Sequence, residues 1–153
     1  ERERLQGARD VYTMTTRDHL AAALLAGGKT KQAVSGYKRV LADRAAVFGP
    51  DHPETIATKA SLASAYYASG KMPSAVLFSE QTCADSVRVL GADHADTLAR
   101  QASLAHLYYA VGRVGDAQAL LRDALARCER VLPYGDPLRQ AVRQSLANIA
   151  GDA

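Results

Sequence analysis

The stretch Gly49-Pro50-Asp51-His52-Pro53-Glu54-Thr55 returns 42 residues later as Gly91-Ala92-Asp93-His94-Ala95-Asp96-Thr97. The same step brings Leu20-Ala21, Leu62-Ala63, Leu104-Ala105 and Leu146-Ala147 into register, along with Gly28, Gly70 and Gly112 and with Ala33, Ala75 and Ala117. A fixed period of this size is the mark of a solenoid, in which each unit contacts only its neighbours and the ends need polar caps. Read in that register, residues 1–8 are the end of a truncated preceding unit. Residues 9–50, 51–92 and 93–135 are three repeats, and 136–153 form a C-terminal capping helix, all within one solenoid domain. A chain that opens at the end of a repeat is expected to be a piece of a longer protein.

One period resolves into two helices. Thr58, Leu62, Ala65, Tyr66 and Ser69 fall at the i, i+4, i+7, i+8 spacing of one helical face. Gly70 follows where a helix commonly ends in a left-handed residue, and Pro73 suits the first turn of the next helix because no amide is needed there. The second helix carries Ala75, Val76, Ser79, Thr82, Cys83, Val87 and Leu90, echoed in the next repeat by Ala117, Leu120, Leu121, Ala124, Leu125, Cys128 and Val131. Gly91 stops it. Asp93, like Asp51 before it, offers a side-chain oxygen to the unpaired amides of the following helix. The alanines at 21, 63 and 105 and at 33, 75 and 117 mark where the paired helices approach closely. In the last segment Leu138, Val142, Leu146 and Ile149 form an apolar face, with Arg139, Gln140, Arg143 and Gln144 toward water.

Several function classes fit this composition poorly. With 19 basic against 16 acidic residues, scattered along the chain, there is no basic stripe with interleaved aromatics of the kind nucleic acid demands. No apolar run approaches the roughly 20 residues of a membrane span, and a soluble, cytoplasmic protein is expected. His52 and His94 lie one repeat apart, each beside a single carboxylate, so no metal ligand set closes and helix-start packing is their expected role. Cys83 and Cys128 stand at non-equivalent positions on the buried sides of their helices and read as free thiols. No phosphate loop or nucleophile motif occurs, so neither a catalytic site nor a cofactor is expected.

Taken together, the Leu-Ala pairs, Tyr66 and Tyr108 four residues after the Leu, the turn glycines, the Ala five residues beyond Gly70 and Gly112, and Gly49-Pro50-Asp51-His52-Pro53 between units resemble tetratricopeptide repeats of the long-period kind found in kinesin light chains and in many bacterial proteins. The resemblance implies an all-α, right-handed α-solenoid of helical hairpins, an α-α superhelix, that binds a protein or peptide in the groove of its first helices. In light-chain repeats the first helix carries asparagines that clamp a peptide backbone. Here Asp18-His19, Ala60-Ser61, Ala102-Ser103 and Gln144-Ser145 stand before the Leu-Ala pairs, so that clamp is not carried over. Opposite the seam the first helices present small residues with a tyrosine, and His19, Ser61, Ser64, Tyr67, Ser103, His106 and Tyr109 are the candidate partner-binding residues. The competing reading has the tyrosines fill gaps between adjacent first helices. A second functional class remains open, a regulatory or sensor arm of a larger bacterial signalling ATPase or transcription regulator. Self-association through exposed seam edges is a third.

Overall fold

A computed structural model describes the backbone of residues 2–151 and the side chains of residues 10–151. Among the described residues it contains seven α-helices and no strand: α1 (Arg2–Ala26), α2 (Thr30–Phe48), α3 (Pro53–Ala68), α4 (Met72–Leu90), α5 (Ala95–Ala110), α6 (Val114–Val131) and α7 (Pro137–Gly151). They group into two compact units, residues 1–78 and 79–153, with α4 contributing to each. In the first unit α2 packs against both α1 and α3; in the second α6 packs against both α5 and α7.

Each hairpin turn is built the same way. Gly28, Gly70 and Gly112 have φ of 75°, 77° and 82°. At the middle one, Lys71 N donates to Tyr66 O and Gly70 N to Tyr67 O, so the last carbonyls of α3 are satisfied as the chain reverses. A side chain at Gly70 meets open space but a strained backbone, which is why glycine returns there in each unit. The alanines occupy the close approaches: Ala33, Ala75 and Ala117 have no exposed surface. Gly36 belongs with them, since a Cβ there would sit 3.1 Å from that of Ala21.

The starts of the first helices differ from the sequence expectation. Asp51 and Asp93 do not cap the first helices. The residue immediately before the helix does, His52 Nδ1 accepting from Glu54 N at 3.2 Å and His94 Nδ1 from Asp96 N at 3.1 Å. Pro53 at the first helical position of α3 suits this start, Ala95 standing there in α5, and Phe48 stacks on the His52 ring at 4.6 Å. Asp93 instead takes Arg127 and Arg130. The backbone of α1 is continuous through Gly7, the register partner of Gly49. Where Gly49 is followed by Pro50-Asp51-His52-Pro53, Gly7 is followed by Ala8-Arg9-Asp10-Val11, which lacks both prolines that enforce a break. The side chains of residues 1–9, on which the reading of 1–8 as the end of a preceding unit also depends, lie outside the described residues.

The stripe of α4 is rotated slightly from its expected face: Ser86 is fully buried while Val87 is 41% exposed. The Ser86 hydroxyl donates to Thr82 O at 2.8 Å and receives Arg100 Nη1 at 3.1 Å, so burial leaves it no unmet polar group. Val131 of α6 is likewise exposed. In α7, Val142 and Ile149 are buried as expected, but Arg139 is not a water-facing residue. Its side chain is only 14% exposed, and Nη1 donates to Leu132 O at 3.2 Å.

Candidate partner-binding faces

A tyrosine doublet ends each of the first helices α3 and α5, and successive residues on a helix point about 100° apart, so one ring goes in and the other out. Tyr66 is buried, its ring 5.3 Å from that of Phe78; Tyr67 is 47% exposed. In α5, Tyr108 donates its hydroxyl to Glu80 Oε1 at 2.7 Å and lies under the Arg113 guanidinium at 4.0 Å, while Tyr109 is 38% exposed. Burial and the Glu80 contact push the Tyr108 phenol up to about 12, so it stays a donor at any physiological pH. The inner tyrosines are engaged with α4, Tyr66 through Phe78 and Tyr108 through Glu80, and the outer ones present ring surface to solvent.

The small polar residues beside them spend their donors on their own helices. Ser61 Oγ donates to Ala57 O at 3.3 Å, Ser64 Oγ to Ala60 O at 3.3 Å, and Ser103 Oγ to Ala99 O at 3.1 Å. What each exposed hydroxyl keeps for a ligand is its acceptor lone pairs. Ser64, Ser103 and His19 are exposed. Ser61 is half-buried and also meets the buried Tyr37 phenol, which burial raises above its ordinary value, with Asp18 adding to the rise and the Ser61 contact opposing it.

His106 is fixed in one tautomer by its surroundings. Nδ1 lies 2.8 Å from Ala102 O, a group that can only accept, so Nδ1 carries the proton and Nε2 accepts from Ser145 Oγ at 3.2 Å. This bond joins the exposed faces of α5 and α7 within the second unit. In the first unit His19 lies on α1, and Ser61, Ser64 and Tyr67 on α3; in the second, Ser103, His106 and Tyr109 lie on α5.

Elsewhere the chemistry is structural. Among the described residues no group of three or more His, Cys, Asp or Glu side chains is placed to hold a metal ion, and no helix is long and apolar enough to cross a membrane. Cys83 and Cys128 are free and buried; burial pushes the Cys83 thiol up to about 11 against the pull of Arg100, which keeps it protonated and inert. Two arrangements escaped the sequence reading. One is the Asp93 carboxylate held by Arg130 at 2.6 Å and Arg127 at 3.0 Å, hydrogen bonds that lower its pKa. The other is Arg44, 4% exposed, which reaches Asp18 Oδ1 at 3.3 Å, Glu54 Oε2 at 3.1 Å and the Thr58 hydroxyl. Its signal was present, since Arg44 follows Tyr37 and Val40 by seven and four residues and so shares the apolar stripe of α2.

Comparison with known proteins follows the same periodic features. Two family profiles described as tetratricopeptide repeat match residues 12–86 and 97–138. Among solved structures, nearly identical TPR-like repeats assigned to a kinesin light chain of Podosopora anserina are 31% identical over 90% of this chain, with a TM-score of 0.80, and a variant of the same repeats scores 0.81. BtubC (BKLC) from P. vanneervenii is 23% identical over 91% of the chain, with a TM-score of 0.81. The chain spans 65% and 57% of the length of those two proteins. No curated protein matches the sequence. The architecture is an all-α helical-repeat solenoid.

Proposed function

This chain belongs to the tetratricopeptide-repeat family, whose repeats mediate protein–protein interaction, and we propose that it is a scaffold or adaptor that grips a peptide segment of a partner with the outward faces of its first helices. The observation that carries the reading is the pair Tyr67 and Tyr109. They occupy equivalent positions of successive repeats, each exposed beside a tyrosine that is engaged with a neighbouring helix. A tyrosine held on a rigid helix offers contact area and a hydrogen-bonding tip at low entropic cost. Around them the Ser64 and Ser103 hydroxyls add acceptors for the amide N–H groups of an extended segment, His106 adds an exposed ring face, and His19 and Ser61 extend the face in the first unit. Alanines at 57, 60, 99 and 102 keep bulk away, so a backbone can come close.

Selection of a phage-displayed random peptide library on the immobilised chain tests this. Enriched peptides are expected to bind wild type, and the Tyr67→Ala/Tyr109→Ala variant is expected to weaken them by at least about tenfold while its melting temperature stays put. Peptides that bind the double variant as well as wild type would remove the tyrosines from the site.

A further inference from the structure

The first unit holds a buried cation that ties three helices together, and the geometry points to Arg44 as a positioning residue for the partner-binding face, a strap that sets the spacing of α1 and α3. This inference rests on the proposed use of the first-helix faces. Arg44 projects from α2 with its side chain 5% exposed. One end of its guanidinium meets Asp18 of α1 at 3.3 Å, and the other meets Glu54 of α3 at 3.1 Å, with the Thr58 hydroxyl between. Asp18 directly precedes His19 in α1, and Thr58 lies less than one turn before Ser61 in α3. The strap therefore anchors the two first helices of this unit at the turns that carry their candidate binding residues.

The repeat register shows that the strap is particular to this place. Forty-two and 84 residues on, Arg44 is replaced by Ser86 and Cys128, while Asp18 becomes Ala60 and Ala102. In the second unit, Cys128 and Val142, the counterpart of Thr58, share one buried apolar cluster, and the first helices α5 and α7 are joined at the exposed face by His106 and Ser145. A planar guanidinium can serve several acceptors at fixed angles, whereas apolar contact leaves sliding less constrained. The cation thus specifies a spacing that the apolar junction sets only by shape.

The test uses spin labels on exposed positions of α1 and α3, His19→Cys and Ser64→Cys, with the buried native thiols left in place, and reads their separation by electron paramagnetic resonance. The background is either wild type or the charge-balanced variant Arg44→Met/Asp18→Asn/Glu54→Gln, which leaves no carboxylate or guanidinium unpaired. Asp18→Asn alone, which frees α1 only, is the second variant should the triple one fail to fold. The expected result is a broadened and shifted distance distribution in the variants. A peptide selected on wild type, and lost on Tyr67→Ala, is expected to bind the unlabelled triple variant about tenfold more weakly. An unchanged distance distribution overturns the strap, and a changed distribution with unchanged peptide affinity overturns its role in positioning the face. Because the label distance needs no peptide, it decides the strap even where the library yields nothing and the peptide-binding reading falls.

Discussion

The junction of α2 with α3 and the junction of α6 with α7 occupy the same place in the repeat and are filled by opposite chemistries. In the first, Arg44 is buried among Asp18, Glu54 and Thr58; in the second, Cys128 and Val142 are buried in an apolar cluster with Leu98 and Leu121. The backbone hairpins need only that the space be occupied and every polar group be met. The difference lies in what each filling demands. A buried ion pair contributes little net stability over a well-packed apolar substitute, but it is costly to break on one side.

The largest effect is expected where the apolar junction loses volume. Leu121→Ala empties a fully buried site and should cost about 2–5 kcal/mol, read as a fall in the urea midpoint with unchanged slope. Arg44→Met alone strands Asp18 and Glu54 and should cost about 3 kcal/mol, held to the low end because Glu54 is 57% exposed; restoring charge balance with Asp18→Asn/Glu54→Gln should recover most of it. If the single and triple variants melt alike, the two junctions do not differ as described. Placing a hydroxyl in the apolar one, Cys128→Ser, should cost about 1–3 kcal/mol, since its surroundings are apolar and only the carbonyl one helical turn back can take its proton, as Thr82 O does for Ser86.

Helix starts come next in size. His94→Ala removes a cap and should cost about 1 kcal/mol. Asp93, which does not cap, should show its role through pH instead. Its carboxyl is held below the ordinary value of 3.8 by Arg130 and Arg127, so its contribution is fully present above that value and is lost as pH falls through the folded one. The melting temperatures of wild type and Asp93→Asn should therefore differ at neutral pH and converge in acid. The smallest effect on stability belongs to Tyr67→Ala, expected within about 0.5 kcal/mol because the ring is half in solvent.

These contrasts also mark how far the amino-acid sequence could be read. Hairpins, turns and close approaches were legible because each depends on local signals repeated at one period: an apolar stripe, a glycine forced to positive φ, an alanine between helices. The inward turn of Tyr66 and the outward turn of Tyr67 followed from the same 3.6-residue count. Placing the caps on aspartate failed because Asp and His both offer acceptors, and nothing in the spacing says which of the two adjacent residues stands at the N-cap position. Arg44 stood out on an apolar stripe, but its partners come from two other helices, and no spacing along the chain announces a meeting of residues 18, 44 and 54.

The outward faces of the first helices are proposed as the surface that grips a partner. Nitrogen–proton correlation spectra of the labelled chain, titrated with a peptide selected on wild type, test this most directly. Shifts are predicted for amides around Tyr67 on α3 and around His106 and Tyr109 on α5, in fast or slow exchange according to affinity. Shifts confined to α2, α4 and α6, with the first helices silent, would contradict it.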